Sequence, residues 1–156
     1  MLVLVLVLVL VPVLVLVLVL VLGPAIVSVP QSILGVPMSI PANLPFSKVR
    51  RVGDLVFLSG ELPIGPTGEI PVGIGPQTDL TLARIAATLA GEGLGLSHVV
   101  QATVYLRHAE DFAAFNAAYA GHFAAPFPTR TTVVAALALA PADVEITVVA
   151  DASSAR

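Results

Sequence analysis

The stretch Val99–Phe123 reads VVQATVYLRHAEDFAAFNAAYAGHF, and its two halves carry different periods. Val99–Leu106 is rich in Val, Thr and Tyr, residues that fit a pleated, half-buried surface, and predicts a strand. From about Ala109 to Phe123 the residues Phe112, Phe115, Tyr119 and Phe123 form an apolar stripe, which predicts a helix. Glu110 and Asp111 in its first turn suit the helix dipole. Pro126 and Pro128 then forbid further helix. On the N-terminal side an earlier helix starts with Pro76 at its first position and stops at Gly91. Leu82, Ile85, Ala86 and Leu89 give it one buried stripe. The segment Gly60–Gly75 contains Pro63, Pro66 and Pro71 and reads mainly as loop. Before it, Lys48–Val52 and Leu55–Ser59 flank Gly53-Asp54 and read as a hairpin. On the C-terminal side Thr131–Leu137 and Val144–Ala150 are strands separated by a turn at Pro141-Ala142-Asp143. The order is β-β-α-β-α-β-β, an α+β domain whose mixed sheet carries two helices on one face. The uncovered face stays largely apolar, so the domain is expected to oligomerise.

Charge divides the chain into unlike parts. All 7 basic and 10 acidic residues lie from Lys48 onward, so the net charge of −3 belongs to the globular part. Only Lys48, Arg50 and Arg51 cluster, and they read as a solvated strand edge. Without a basic face, no nucleic-acid partner is expected. The absence of cysteine excludes disulfides, thiolate metal sites and cysteine nucleophiles.

Met1–Leu22 is a Leu-Val dipeptide repeat broken once by Pro12. As a helix it would span roughly 33 Å, at about 1.5 Å per residue, enough to cross a bilayer. Against that, no Lys or Arg flanks it, Val favours strands, and an unvaried repeat specifies no packing. Three readings stay open: a translated nucleotide repeat ahead of a true start at Met38, a membrane anchor or uncleaved signal, or an aggregation-prone tail. Residues 23–43, punctuated by prolines, read as an extended linker. The domain is expected over 44–150, with 151–156 as a tail. The location is cytoplasmic unless Met1–Leu22 is translated and inserted in a membrane.

Most chemistry-bearing residues have plain explanations. His98, His108 and His122 match no metal-ligand spacing, and no metal is expected. Gly91-Glu92-Gly93-Leu94-Gly95 follows a helix rather than a strand, so it is a helix stop and not a phosphate cradle. Arg130 and Glu145 stand out. Arg130 begins a strand after Pro128-Thr129, and an Arg fork can hold a carboxylate by two parallel bonds. Glu145 lies inside the apolar run Val144–Ala150, where a carboxylate is costly unless paired or useful. Partly withdrawn from water, it can activate a hydrolytic water. Spacing alone leaves a structural Arg130–Glu145 pair equally open. Asn116, on the apolar stripe of the second helix, reads as a buried, satisfied amide.

Five blocks resemble, in order, the RidA/YjgF family. They are Pro45-Phe46-Ser47, the run Val52-Gly53-Asp54-Leu55-Val56-Phe57-Leu58-Ser59-Gly60, the run Asp111-Phe112-Ala113-Ala114-Phe115-Asn116 with Tyr119, Phe127-Pro128-Thr129-Arg130, and Val144-Glu145-Ile146. The resemblance implies a chorismate-mutase-like homotrimer with sites between subunits. It implies hydrolysis of reactive 2-enamino and 2-imino acids to 2-oxo acids and ammonia, with no metal or organic cofactor. By position, Arg130 grips the substrate carboxylate and Glu145 positions or activates water. Ser59, Gly60 and Asn116 line the cleft.

Three positions depart from the pattern seen in many deaminating members. Phe46 stands where they carry Tyr, Glu61 where they carry Gln, and Thr132 where some carry Cys. All three are expected at the cleft, where the Glu61 carboxylate would repel an anionic substrate unless paired or protonated. The alternative function is a non-catalytic trimer that binds small carboxylates or acts as a regulatory or protein-binding module. Phe46 and Glu61 favour that alternative; the retained Arg130 and Glu145 favour the enzyme.

Overall fold

A turn at Gly53, whose φ of 60° glycine adopts without strain, joins β1 (Val49–Val52) to β2 (Leu55–Leu58) in the expected hairpin. The structure, a computed structural model, describes residues 44–153. The expectations for Met1–Leu22, for the 23–43 linker and for residues 154–156 of the tail lie outside the described residues. Among those described, no helix is long and apolar enough to cross a membrane.

Helix α1 spans Ile74–Ala90, two residues earlier than Pro76 alone predicts. Gly73, at φ 90°, lets the chain enter the helix, and the Gln77 N–H makes the first helical bond to the Gly73 carbonyl. Pro76 fits inside this first turn because its missing N–H would have had no helical partner. Leu82, Ile85 and Leu89 are fully buried, each stabilising the fold by about 1.5–3 kcal/mol. Thr78 and Thr81 are buried beside them, their hydroxyls donating to the carbonyls of Ile74 and Gln77 one turn back. Gly91 ends the helix and Gly93 turns the chain at φ 74°, as the glycine pattern predicts.

β3 (Val99–Leu106) has the predicted limits. The second helix is shorter than predicted. A 3₁₀ turn at Ala109–Asp111 leads into α2 (Phe112–Ala120), which Gly121 terminates. Phe115 and Tyr119 reach the core, whereas Phe112, first in the helix, is 47% exposed. Phe123 lies beyond the helix but still packs against the core, its ring 4.7 Å from that of Tyr119.

The helical crossover returns the chain parallel to β3 as β4 (Thr129–Val134). This strand starts two residues earlier than predicted, placing Arg130 within it, and its pairing ends where Val134 meets Leu106. β5 (Val144–Asp151) then lies antiparallel between β2 and β3, giving the sheet order β1-β2-β5-β3-β4. Along β5 buried residues alternate with half-buried ones. Val144, Ile146 and Val148 join the core, while Glu145, Thr147 and Val149 face the other way. On that open face Val52, Leu55, Phe57 and Val133 remain 40–62% exposed.

Candidate functional site

Alternation along β5 puts Glu145 on the open face, opposite Tyr105 of β3. Its carboxylate leans over Gly60, where any Cβ would overlap Glu145 Oε1. Gly60 is therefore the residue whose missing side chain makes room for the carboxylate. Partial burial pushes the Glu145 carboxyl above its ordinary pKa. A cavity of about 390 Å³ opens beside it, lined also by Tyr105, Thr147 and Ala136-Leu137-Ala138. Tyr105 and Thr147 were not singled out in the sequence. Register was the missing signal: both stand in the row of Glu145, one on the facing strand and one two residues along.

Arg130 faces the opposite side. It pairs with Ala102, a buried residue of β3, so its side chain rises toward the helices. The guanidinium carbon lies 4.8 Å from the centre of the Tyr119 ring and 5.2 Å from that of Phe115. Nη2 donates to Asn116 Oδ1 at 2.6 Å. One of five N–H donors is thus used for orientation, leaving the fork for an anion. Asn116, Tyr119, Phe127, Pro128 and Arg130 line a second cavity of about 410 Å³. Burial raises the Tyr119 hydroxyl pKa, partly offset by the Arg130 charge. Thr132 shares this face, and its Oγ1 is buried without a hydrogen-bond partner, as is the Tyr119 hydroxyl.

Arg130 and Glu145 therefore do not form the structural pair that spacing left open. They project from opposite faces of one sheet. Asn116 is half-buried rather than buried as expected, and its Oδ1 accepts from Arg130.

Glu61 corrects the expectation that it lines the cleft. It pairs with Ile146, a residue facing the helices, so Gly60 and Glu61 point to opposite sides. Its side chain is 5% exposed. Arg84 of α1 donates from Nε and Nη2 to Oε2 at 3.2 and 3.1 Å. Thr88 and Lys48 reach Oε1 at 3.1 and 3.2 Å. Among the described residues no second carboxylate lines the cavity beside Glu145, and Lys48 is more than a solvated edge residue.

Ser59 and Phe46 line neither cavity. The Ser59 hydroxyl donates to the Ser47 carbonyl at 2.8 Å, and Phe46 is 60% exposed. The three histidines stand apart. His122 meets Asp79 at 2.8 Å, His108 lies 4.0 Å from Asp143, and His98 Nδ1 accepts from the Gly95 N–H. Among the described residues no cluster of His, Asp and Glu could hold a metal.

Comparison with known proteins adds three kinds of likeness. Residues 37–152 match the family described as Endoribonuclease L-PSP. A RutC family protein of Pyrococcus horikoshii is 41% identical over 91 residues, which cover 57% of this chain and 72% of the relative. The 2-iminobutanoate/2-iminopropanoate deaminase of Escherichia coli is 33% identical over 106 residues, 65% of this chain and 81% of the relative. Among solved structures, Escherichia coli TdcF with bound serine superposes with a TM-score of 0.65 at 30% identity. That match covers 75% of this chain and 95% of TdcF.

Proposed function

This chain belongs to the Endoribonuclease L-PSP family, the RidA/YjgF proteins, and we propose that it hydrolyses reactive 2-imino and 2-enamino acids to 2-oxo acids and ammonia. The observation carrying this reading is the pair of cavities, one built on a half-buried carboxylate and the other on an oriented guanidinium. Relatives named as deaminases, and one holding serine, support a small amino-acid-derived ligand.

In the proposed reaction an enamine first tautomerises to the imine. Arg130 holds the substrate carboxylate through the N–H groups that Asn116 leaves unused. Glu145 accepts a proton from water as the oxygen attacks the imine carbon and passes it to the nitrogen, giving the carbinolamine. Glu145 then takes the carbinolamine hydroxyl proton as the C=O bond forms and delivers it to the departing nitrogen, so one water enters and one ammonia leaves. A carboxyl raised by burial suits this exchange, because its proton affinity lies closer to neutrality. Neither a metal nor an organic cofactor enters the balance.

Since Arg130 and Glu145 occupy opposite faces of one sheet, a shared substrate requires two copies. We therefore place the site between subunits of a homotrimer, with the apolar open face supplying the contact. A second reading is a non-catalytic binder of small carboxylates. It is favoured by Phe46, which lacks a phenol hydroxyl and lines neither cavity. The deciding experiment generates an imine in situ with an amino-acid oxidase and follows ammonia release, with light scattering on the same sample. Faster release by a trimer is expected. Binding of a small carboxylate without acceleration would favour the second reading.

A further inference from the structure

We propose that Glu61 is a positioning residue for the Glu145 carboxylate, acting from the far side of the sheet by clamping the Gly60–Glu61 segment onto β5. The inference rests on the deaminase reading only for its kinetic consequence; the clamp itself is testable without it. Beyond β2 the chain leaves the regular ladder, and Glu61 touches β5 in an isolated bridge to Ile146. Two backbone bonds make that bridge, at 2.8 and 3.0 Å. So short a contact does not hold a loop by itself.

The side chain supplies the rest. Its carboxylate ties the segment to Arg84 and Thr88 on α1 and to Lys48 just before β1. Arg84 also donates from Nη1 to the Ile64 carbonyl at 2.6 Å, so one guanidinium grips the loop twice. Gly60, the preceding residue, is the surface on which Glu145 rests. Alternation does the coupling: the clamp pulls on the helix side, and the seat forms on the open side. Loosening the clamp lets Gly60 lift and water reach the carboxylate.

The seat also contributes to the burial that raises the Glu145 pKa. Among the described residues, Tyr105 is the other titratable side chain in that cavity. Asp143, two residues before Glu145, is turned toward Gln77, Arg107 and His108. An Arg130 contributed by a second copy would act equally on wild type and variants.

The test is Glu61→Gln in the full chain, with Arg84→Lys as a milder companion and Thr81→Ala as a destabilised control on the same helix. Carboxyl ¹³C NMR of Glu145 is followed against pH, alongside kcat and KM for imine hydrolysis. In Glu61→Gln the Glu145 midpoint should fall toward the ordinary carboxylate range, and the acid limb of kcat should fall with it. A displacement near 1 Å lowers kcat on the order of 10²-fold, with KM changed far less. Arg84→Lys should shift both readouts the same way by a smaller amount, which keeps the test intact if Glu61→Gln does not fold. Thr81→Ala should lower Tm and leave the Glu145 midpoint in place. A Glu61→Gln or Arg84→Lys protein that loses Tm but keeps the wild-type midpoint makes Glu61 merely structural and overturns the proposal. Absence of imine hydrolysis in wild type would overturn the deaminase reading instead, and the NMR midpoint would still decide the clamp.

Discussion

Gly60→Ala separates placement of the carboxylate from stability of the fold. Gly60 has no positive φ, so alanine is allowed there by the backbone. Restricting the unfolded chain should stabilise the fold by about 0.4–1 kcal/mol. The new methyl, however, would overlap Glu145 Oε1 and stand 2.9 Å from its Cδ and 3.1 Å from its Cγ. All three atoms belong to a flexible side chain, so Glu145 swings aside rather than the sheet breaking. An off-rotamer shift costs about 0.5–1.5 kcal/mol. The two effects nearly cancel, leaving stability within about 1 kcal/mol of wild type, or about 4–8 °C in Tm. Turnover should respond differently, because moving a reacting group by about 1 Å costs on the order of 10²-fold. Ammonia release from the in situ imine gives kcat, and thermal melting by circular dichroism gives Tm. A folded Gly60→Ala protein with wild-type kcat would refute the claim that Glu145 must sit on Gly60.

Other substitutions test the remaining parts. Arg130→Ala and Arg130→Lys should both lose roughly 30-fold or more in kcat/KM, since a desolvated charge pair is worth about 2–5 kcal/mol and Lys has no fork. Sizing should still give trimers, and wild-type kinetics in Arg130→Ala would end the deaminase assignment. Burial raises the Glu145 pKa, so the folded chain holds that proton more tightly than the unfolded chain. The group's contribution to stability is therefore lost as pH rises through the raised value and regained as pH falls to about 4. Glu145→Gln should accordingly melt above wild type at neutral pH, with the gap closing near pH 4; a constant gap contradicts the burial argument. Phe46→Tyr should leave Tm nearly unchanged, because the ring is 60% exposed and a new hydroxyl stays in water. A large loss of Tm would show that the ring is packed tightly at this position.

The element order was legible because each element carries its own period or punctuation. Val99–Leu106 and the Gly53-Asp54 turn are local signals, and both appear where the sequence puts them. Boundaries slipped where tertiary contact overrode local signs. α1 begins at Ile74, ahead of Pro76, because Gly73 and buried Ile74 and Gln77 extend it. The chemistry of the site was half legible. Glu145 stands out as a costly carboxylate in an apolar run and Arg130 as a fork at the entry of a strand, but which face each occupies depends on register. Register likewise sends Glu61 to the helix side, where Arg84, 23 positions away, waits. Nothing within the sequence neighbourhood of Glu61 announces that partner.

Placement of Arg130 and Glu145 on opposite faces has a genetic consequence. In the proposed trimer each active centre takes its arginine from one copy and its glutamate from the next. Two defective alleles, Arg130→Ala and Glu145→Gln, should then complement each other when expressed together. Every mixed trimer regenerates a single intact centre, so random mixing of equal amounts restores about a quarter of the sites. Neither allele could do so alone. Were both groups drawn from the same chain, mixing would restore nothing, and the doubly mutant allele should rescue neither parent in either case.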